Sequence, residues 1–155
     1  MTTETISVGV VLERRPSTSP WLDLVWRPIE AVVPPLPLPS GHVMVEEAGV
    51  ARIYAGELDV TLFVDETEGY RRNLSDEVPR LFVVLRPDEG GPIPFRATAS
   101  PYEAEAYQVS GNETVEGVPM PAAVAATVAS FVERFHVDQP FIKRERGPKS
   151  GGRRG

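Results

Sequence analysis

Thr5-Ile6-Ser7-Val8-Gly9-Val10-Val11-Leu12-Glu13 puts Ile6, Val8, Val10 and Leu12 on one side of the chain and Ser7, Gly9 and Glu13 on the other, with Val11 the one interruption. A period of two marks a strand with one face in a core and one in water. Arg14-Arg15-Pro16 ends it, and Ser17-Thr18-Ser19-Pro20 reads as a loop delivering Trp21. From Leu22 to Val33 a second alternation through Leu22, Leu24 and Trp26 breaks at Pro28, which cannot donate to a ladder, so an edge strand or two short pieces is expected. Pro34-Pro35-Leu36-Pro37-Leu38-Pro39 favours a polyproline II segment, read as a stiff connector crossing the body.

Three strands in a meander are predicted next: His42 to Glu47, Val50 to Ala55 and Leu58 to Asp65. The joins are Ala48-Gly49 and Gly56-Glu57, the second with glycine where a type II′ turn wants it. Asp65-Glu66-Thr67-Glu68 has the spacing of a capping box ahead of a short helix to about Leu74, weakened by Gly69. Arg80-Leu81-Phe82-Val83-Val84-Leu85-Arg86 is continuously apolar between arginines, as a strand covered on both faces would be, and belongs at a sheet centre. A strand follows from Ile93 to Thr98.

Ser100-Pro101-Tyr102-Glu103 combines a capping serine, proline at the first helical position and glutamate three residues after the cap, predicting a helix to about Val109 stopped by Ser110-Gly111. An extended piece from Thr114 to Val118 leads to the longest helix, ending at Phe135. Its apolar stripe of Val124, Val128, Phe131 and Phe135 must be buried. His136 to Ile142 reads as a last extended piece. The fold class is therefore α+β. We expect one mostly antiparallel sheet of about six to eight strands, packed by the C-terminal helix, with two short helices; a partly open barrel plugged by that helix is the alternative. No internal repeat is visible.

At 155 residues the chain fits one domain, with 1–142 as the globular body and 143–155 as a flexible basic tail. The division comes from charge. Residues 1–142 hold 10 arginines against 21 acidic residues, net −11; the last 13 hold six basic residues against Glu145, net +5. An acidic body repels phosphate backbones, so no nucleic acid is expected on it. The tail, with Lys143, Arg144 and Arg146, is a candidate for docking an acidic partner. The amino terminus lacks the basic-then-apolar pattern of a secretory signal, and the apolar stretch from Met120 to Val132 is too short to span a bilayer. A cytoplasmic protein with no membrane contact is the expectation.

Without cysteine there is no disulfide, thiolate metal site or cysteine nucleophile. Two histidines, His42 and His136, leave little for a metal site or triad, and no metal, cofactor or catalytic residue is predicted. His136 sits where a protonated imidazole would meet a helix carboxyl end. Every basic residue of the body is arginine, and a guanidinium fork suits carboxylates and phosphates. Arg14, Arg15, Arg71, Arg72 and Arg86, with Tyr70, form the candidate anion- or partner-binding set. Internal ion pairing is the plainer reading for these arginines, and core or hairpin packing for Trp21, Trp26, Tyr70 and Tyr102.

A succession of motifs carries a resemblance. It runs through Val10-Val11-Leu12-Glu13-Arg14-Arg15-Pro16, Pro20-Trp21, Trp26-Arg27-Pro28, Thr67-Glu68-Gly69-Tyr70-Arg71-Arg72-Asn73-Leu74 and Val83-Val84-Leu85-Arg86. It continues in Ser100-Pro101-Tyr102-Glu103-Ala104, Val118-Pro119-Met120-Pro121 and Pro140-Phe141-Ile142-Lys143-Arg144. Over about residues 6 to 146 the chain resembles a proteobacterial domain-of-unknown-function family encoded near molybdenum- or tungsten-dependent formate dehydrogenases and their maturation genes. The resemblance implies a non-enzymatic accessory or binding protein, with formate dehydrogenase or its maturation factors as partner. The alternative is a small anionic-ligand-binding or hydrolytic domain, with an arginine-lined pocket near His42 or His136.

Overall fold

The computed structural model describes residues 2–21 and 23–137. Among the described residues, seven strands form two antiparallel sheets. The first has the order β2-β1-β4-β3, with β1 Thr3–Pro16, β2 Leu24–Val32, β3 His42–Glu47 and β4 Val50–Phe63. The second has the order β6-β5-β7, with β5 Arg80–Arg86, β6 Ile93–Thr98 and β7 Thr114–Pro119. Helices α1 Thr67–Leu74, α2 Pro101–Ser110 and α3 Ala122–Phe135 complete the fold. The single sheet anticipated above is thus split in two, and no closed barrel forms. The sheets share one core: Val8, Val10 and Leu12 of β1 and Val60 and Leu62 of β4 meet Leu81, Val83 and Leu85 of β5. They approach along both flanks, β6 beside β4 and β7 beside β2.

Val8, Val10 and Leu12 of β1 face the core as their alternation requires, but Gly9 and Val11 are buried as well, so the middle of the strand is covered on both faces and not half in water; Arg80–Arg86 takes the centre of its sheet. Pro28 sits on an edge strand where the β1–β2 register slips: Val11 pairs with Glu30 and Leu12 with Pro28. The proline connector crosses the outer face of the first sheet, where the Leu36 amide donates to the Tyr54 hydroxyl at 3.0 Å.

The meander is corrected. Val50 to Phe63 is one strand, with no turn at Gly56-Glu57, because β1 is long enough to pair with all of it. Gly56, at φ +115°, serves a bulge instead: Val10 pairs with Gly56 and Val11 with Tyr54, leaving Ala55 as the extra residue.

Asp65 does not cap α1. A 3-10 turn occupies Val64–Glu66, Glu66 stands at the N-cap without a side-chain bond to the helix, and its carboxylate accepts from Ser100 Oγ at 2.5 Å. Gly69 does not fray the helix; a Cβ there would lie 2.6 Å from Ser100 Oγ, so glycine permits α1 to approach the start of α2. Ser100 caps α2 by accepting from the Glu103 amide at 3.3 Å, and Gly111 ends that helix at φ +79°. The return bond of a capping box is missing. The Ser100 amide donates to Thr98 Oγ1, while the Glu103 carboxylate takes Thr98 Oγ1 at 2.6 Å and Arg96 at 3.0 Å.

Val124, Val128 and Phe131 of α3 are buried, and Phe131 meets Tyr70 edge to face at 6.2 Å between centroids. Arg134 of α3 pairs with Glu4 of β1. Beyond Val137, the extended piece to Ile142 and the tail with Lys143, Arg144 and Arg146 lie outside the described residues.

Candidate docking site at the open end of the sheets

The six candidate residues fall into two groups at opposite ends of β1. Tyr70, Arg71 and Arg72 stand on α1, beside the Thr3–Phe63 end of the β1–β4 ribbon. Arg14 lies eleven residues further along β1, roughly 35 Å away at about 3.3 Å per residue.

On α1, Tyr70 is a strut of the core rather than a ligand-facing group. It is 1% exposed, its oxygen accepts the Phe63 amide at 2.9 Å, and burial pushes its phenol up to about 12 against the opposing pull of that bond. Arg71 and Arg72, about 100° apart on the helix, serve different surfaces. Arg71 Nη1 lies 2.8 Å from His136 Nε2 and 3.8 Å from Glu68 Oε1. An arginine N–H can only donate, so Nε2 accepts and the ring proton sits on Nδ1, which donates to Thr67 Oγ1 at 2.9 Å. Thr67 Oγ1 in turn donates to the Val64 carbonyl at 3.2 Å. His136 thus ties the end of α3 to α1 through Arg71 and Thr67. Arg72 lines a separate cleft of about 500 Å³ with Phe82, Tyr102 and Gln108.

At the far end, Arg14 Nη2 is 3.4 Å from Glu46 and its guanidinium lies 5.5 Å from the Trp26 ring. Arg15 Nε meets Glu13 at 2.9 Å, and that hydrogen bond holds the Glu13 carboxyl below the usual range. Arg86 stacks on Phe95 at 3.6 Å. Arg14, Arg15, Arg71 and Arg86 pair with acids and rings on separate faces, and the candidate arginines do not converge around either histidine. Among the described residues no group of three His, Cys, Asp or Glu could hold a metal ion, and no helix is long and apolar enough to cross a membrane.

What the structure assembles at the Arg14 end is a cleft that no motif announced. Strands β1 and β4 have 14 residues each and β5 has seven, so the first sheet runs on past the second. At the Thr3 end α1 and α3 cover the surplus. At the other end, among the described residues, the inner face carrying Leu12, Trp26 and Ile53 is bridged by the 87–92 loop, leaving a cleft of about 340 Å³. Val43 and Ile93, both substantially exposed, form its lips. Gly91, at φ +113°, presses the loop onto Trp26, where a Cβ would stand 2.7 Å from the indole. Leu24 and Val25 are exposed at the same end, and Trp21, in the loop joining β1 to β2, is 87% exposed. Packing was the expectation for both tryptophans. Trp26 meets it only in part, because one side of its ring faces the cleft, and Trp21 does not meet it.

The family model described as Protein of unknown function (DUF3305) matches residues 7–145, and the chain belongs to that family. Among curated proteins and among solved structures, none matches the chain.

Proposed function

Starting from membership of a family without an assigned activity, we propose that this domain is a non-enzymatic accessory protein that holds another polypeptide in its open end. The observation that carries the reading is the part of the first sheet's inner face that the described residues leave open. It is an apolar cleft with Trp26 at its base, Arg14 on its wall and exposed Val43, Ile93 and Trp21 around it. Aromatic residues and arginine in a partly dry cleft are what protein interfaces enrich. The resemblance to a family encoded near formate dehydrogenase genes makes that enzyme, or one of its maturation factors, the proposed partner. Lys143, Arg144 and Arg146 add a basic contact for an acidic surface of it.

Affinity capture of the tagged full chain from its native cell tests the proposal, with mass spectrometry of what stays bound. Formate dehydrogenase subunits or maturation factors should be recovered. They should be lost with Ile93→Glu and reduced when residues 143–155 are removed. Capture unaffected by Ile93→Glu would contradict the cleft as the docking site.

A second reading follows from Arg72. It makes none of the ion pairs found among the described residues, although its cleft also holds Glu105. A small anionic ligand would enter there, not a multi-arginine pocket. Saturable shifts of the Arg72 side-chain signal on titration with inorganic phosphate, absent in Arg72→Gln, would support that reading over the first.

A further inference from the structure

The apolar run of β5, residues 81–85, is buried except at Phe82, which lies half open on the outer face of the second sheet. Gly117 of β7 stands opposite Phe82 in the ladder, and no left-handed φ explains a glycine there. Its missing side chain leaves room instead. A Cβ at that position would lie 2.8 Å from Arg80 Cδ and 3.3 Å from the Phe82 ring. Glycine inside a strand marks a close approach. Here the Arg80 stem crosses it, and Arg80 Nη1 donates to the Gly117 carbonyl at 3.2 Å. Phe82 and Gly117 floor the cleft of about 500 Å³ that Arg72 lines.

The walls of this cleft are ordered by charge. Helix α1 meets the start of α2 at Gly69, where a Cβ would crowd Ser100 and Tyr102, and Arg72 follows three residues later on the same helix face. Arg72 therefore stands at the Tyr102 end. Arg80, tied to α1 through Asn73, adds positive charge there. Along α2, Glu105 and then Gln108 line the cleft in three-residue steps from Tyr102, each about 4.5 Å further from α1. Tyr102 is 45% exposed. Among the described residues, Arg72 and Glu105 form no ion pair with each other or elsewhere.

We propose that this cleft binds a small aromatic zwitterion, with its anionic group on Arg72, its ring over Phe82 and Gly117 beside Tyr102, and its ammonium group toward Glu105. The proposal rests on the second reading above, in which Arg72 receives a small anion, and names the ligand class for it. Glu105 decides that class. A bare anion gains Arg72 but brings like charge toward Glu105, whereas a zwitterion meets an opposite charge at each end. The space over Gly117 admits a flat ring, and Phe82 and Tyr102 supply aromatic surface for it.

The test is a nuclear magnetic resonance titration of the full chain with 4-(aminomethyl)benzoate. Benzoate, 4-(aminomethyl)cyclohexanecarboxylate and inorganic phosphate serve as comparisons, each lacking one feature or more. The Arg72 side-chain signal and the Phe82 and Gly117 amides should shift saturably, and 4-(aminomethyl)benzoate should have the lowest dissociation constant of the four. Tyr102→Ala should raise that constant about three- to tenfold and leave that of phosphate unchanged. Glu105→Gln, at an exposed position, should abolish the preference over benzoate. Phosphate or the saturated ring binding as tightly as the aromatic zwitterion, or a preference indifferent to Glu105→Gln, would overturn the inference and leave the Arg72 reading standing. Absence of binding by all four probes would overturn both.

Discussion

The two ends of the β1–β4 ribbon are made of the same strands and are finished in opposite ways. At the Thr3–Phe63 end, α1 and α3 close over the surplus sheet. Phe131 and Tyr70 pack there, Asn73 ties α1 to both β5 and the start of α2, and Ser100 joins Glu66 to the α2 cap. At the Arg14 end, among the described residues, a short loop held down by Gly91 crosses the gap, and apolar side chains stay at the surface. On the proposed reading the difference separates labour: the closed end holds the fold together, and the open end receives a partner. Substitutions should therefore divide between those that unfold the chain and those that silence it.

The largest loss is expected from Phe131→Ala, which removes a fully buried ring beneath Tyr70. Chemical denaturation should report a destabilisation of about 4 kcal/mol. Asn73→Ala should follow at about 3 kcal/mol. The buried amide donates to the Arg80 and Ala99 carbonyls at 2.6 and 2.8 Å and accepts the Arg80 amide at 3.0 Å, so its removal strands three backbone groups. Little change for either residue would mean that the closed end is not where stability resides.

Tyr70 sharpens the comparison through pH. Its folded-state value, near 12, lies above the ordinary 10, so the neutral phenol is favoured in the fold. The associated stability is present below pH 10 and is lost as pH rises toward 12, by roughly 2–3 kcal/mol. Urea midpoints across that range should fall in the native chain and fall less in Tyr70→Phe.

Much of the closed end was legible in the sequence because its signals are local. Ser100-Pro101 with Gly111 brackets α2 by bonds within a few residues, and the stripe of α3 needs only its own period. Gly56 shows where such reading ends. A type II′ turn and a bulge ask for the same positive φ, and the choice rests with β1, more than forty residues away, which pairs with both halves of β4. Glu66 is similar, since its carboxylate is drawn from the helix it precedes by Ser100, 34 residues later. The cleft was not legible at all. It arises from a mismatch between 14-residue and seven-residue strands in different sheets, and no residue spacing encodes that. Composition revealed that arginines are abundant in an acidic body, but not that Arg14 and Arg71 stand at opposite ends of it.

Smaller effects are expected at the open end. Gly91→Ala should cost about 1–2 kcal/mol, since alanine resists the left-handed conformation and its methyl meets the Trp26 ring. Loss of Trp26 fluorescence quenching or a spectral shift should accompany it if the loop lifts. Ile93→Glu should change stability by no more than about 0.5 kcal/mol, because the side chain is already half exposed.

That last variant also gives the most direct test of the account. Tagged native and Ile93→Glu proteins, matched in denaturation midpoint, are compared for what each retains from the native cell. The account predicts that the native chain recovers a defined protein partner and that Ile93→Glu recovers none of it. Equal recovery by both proteins would contradict the claim that the open end is the docking site.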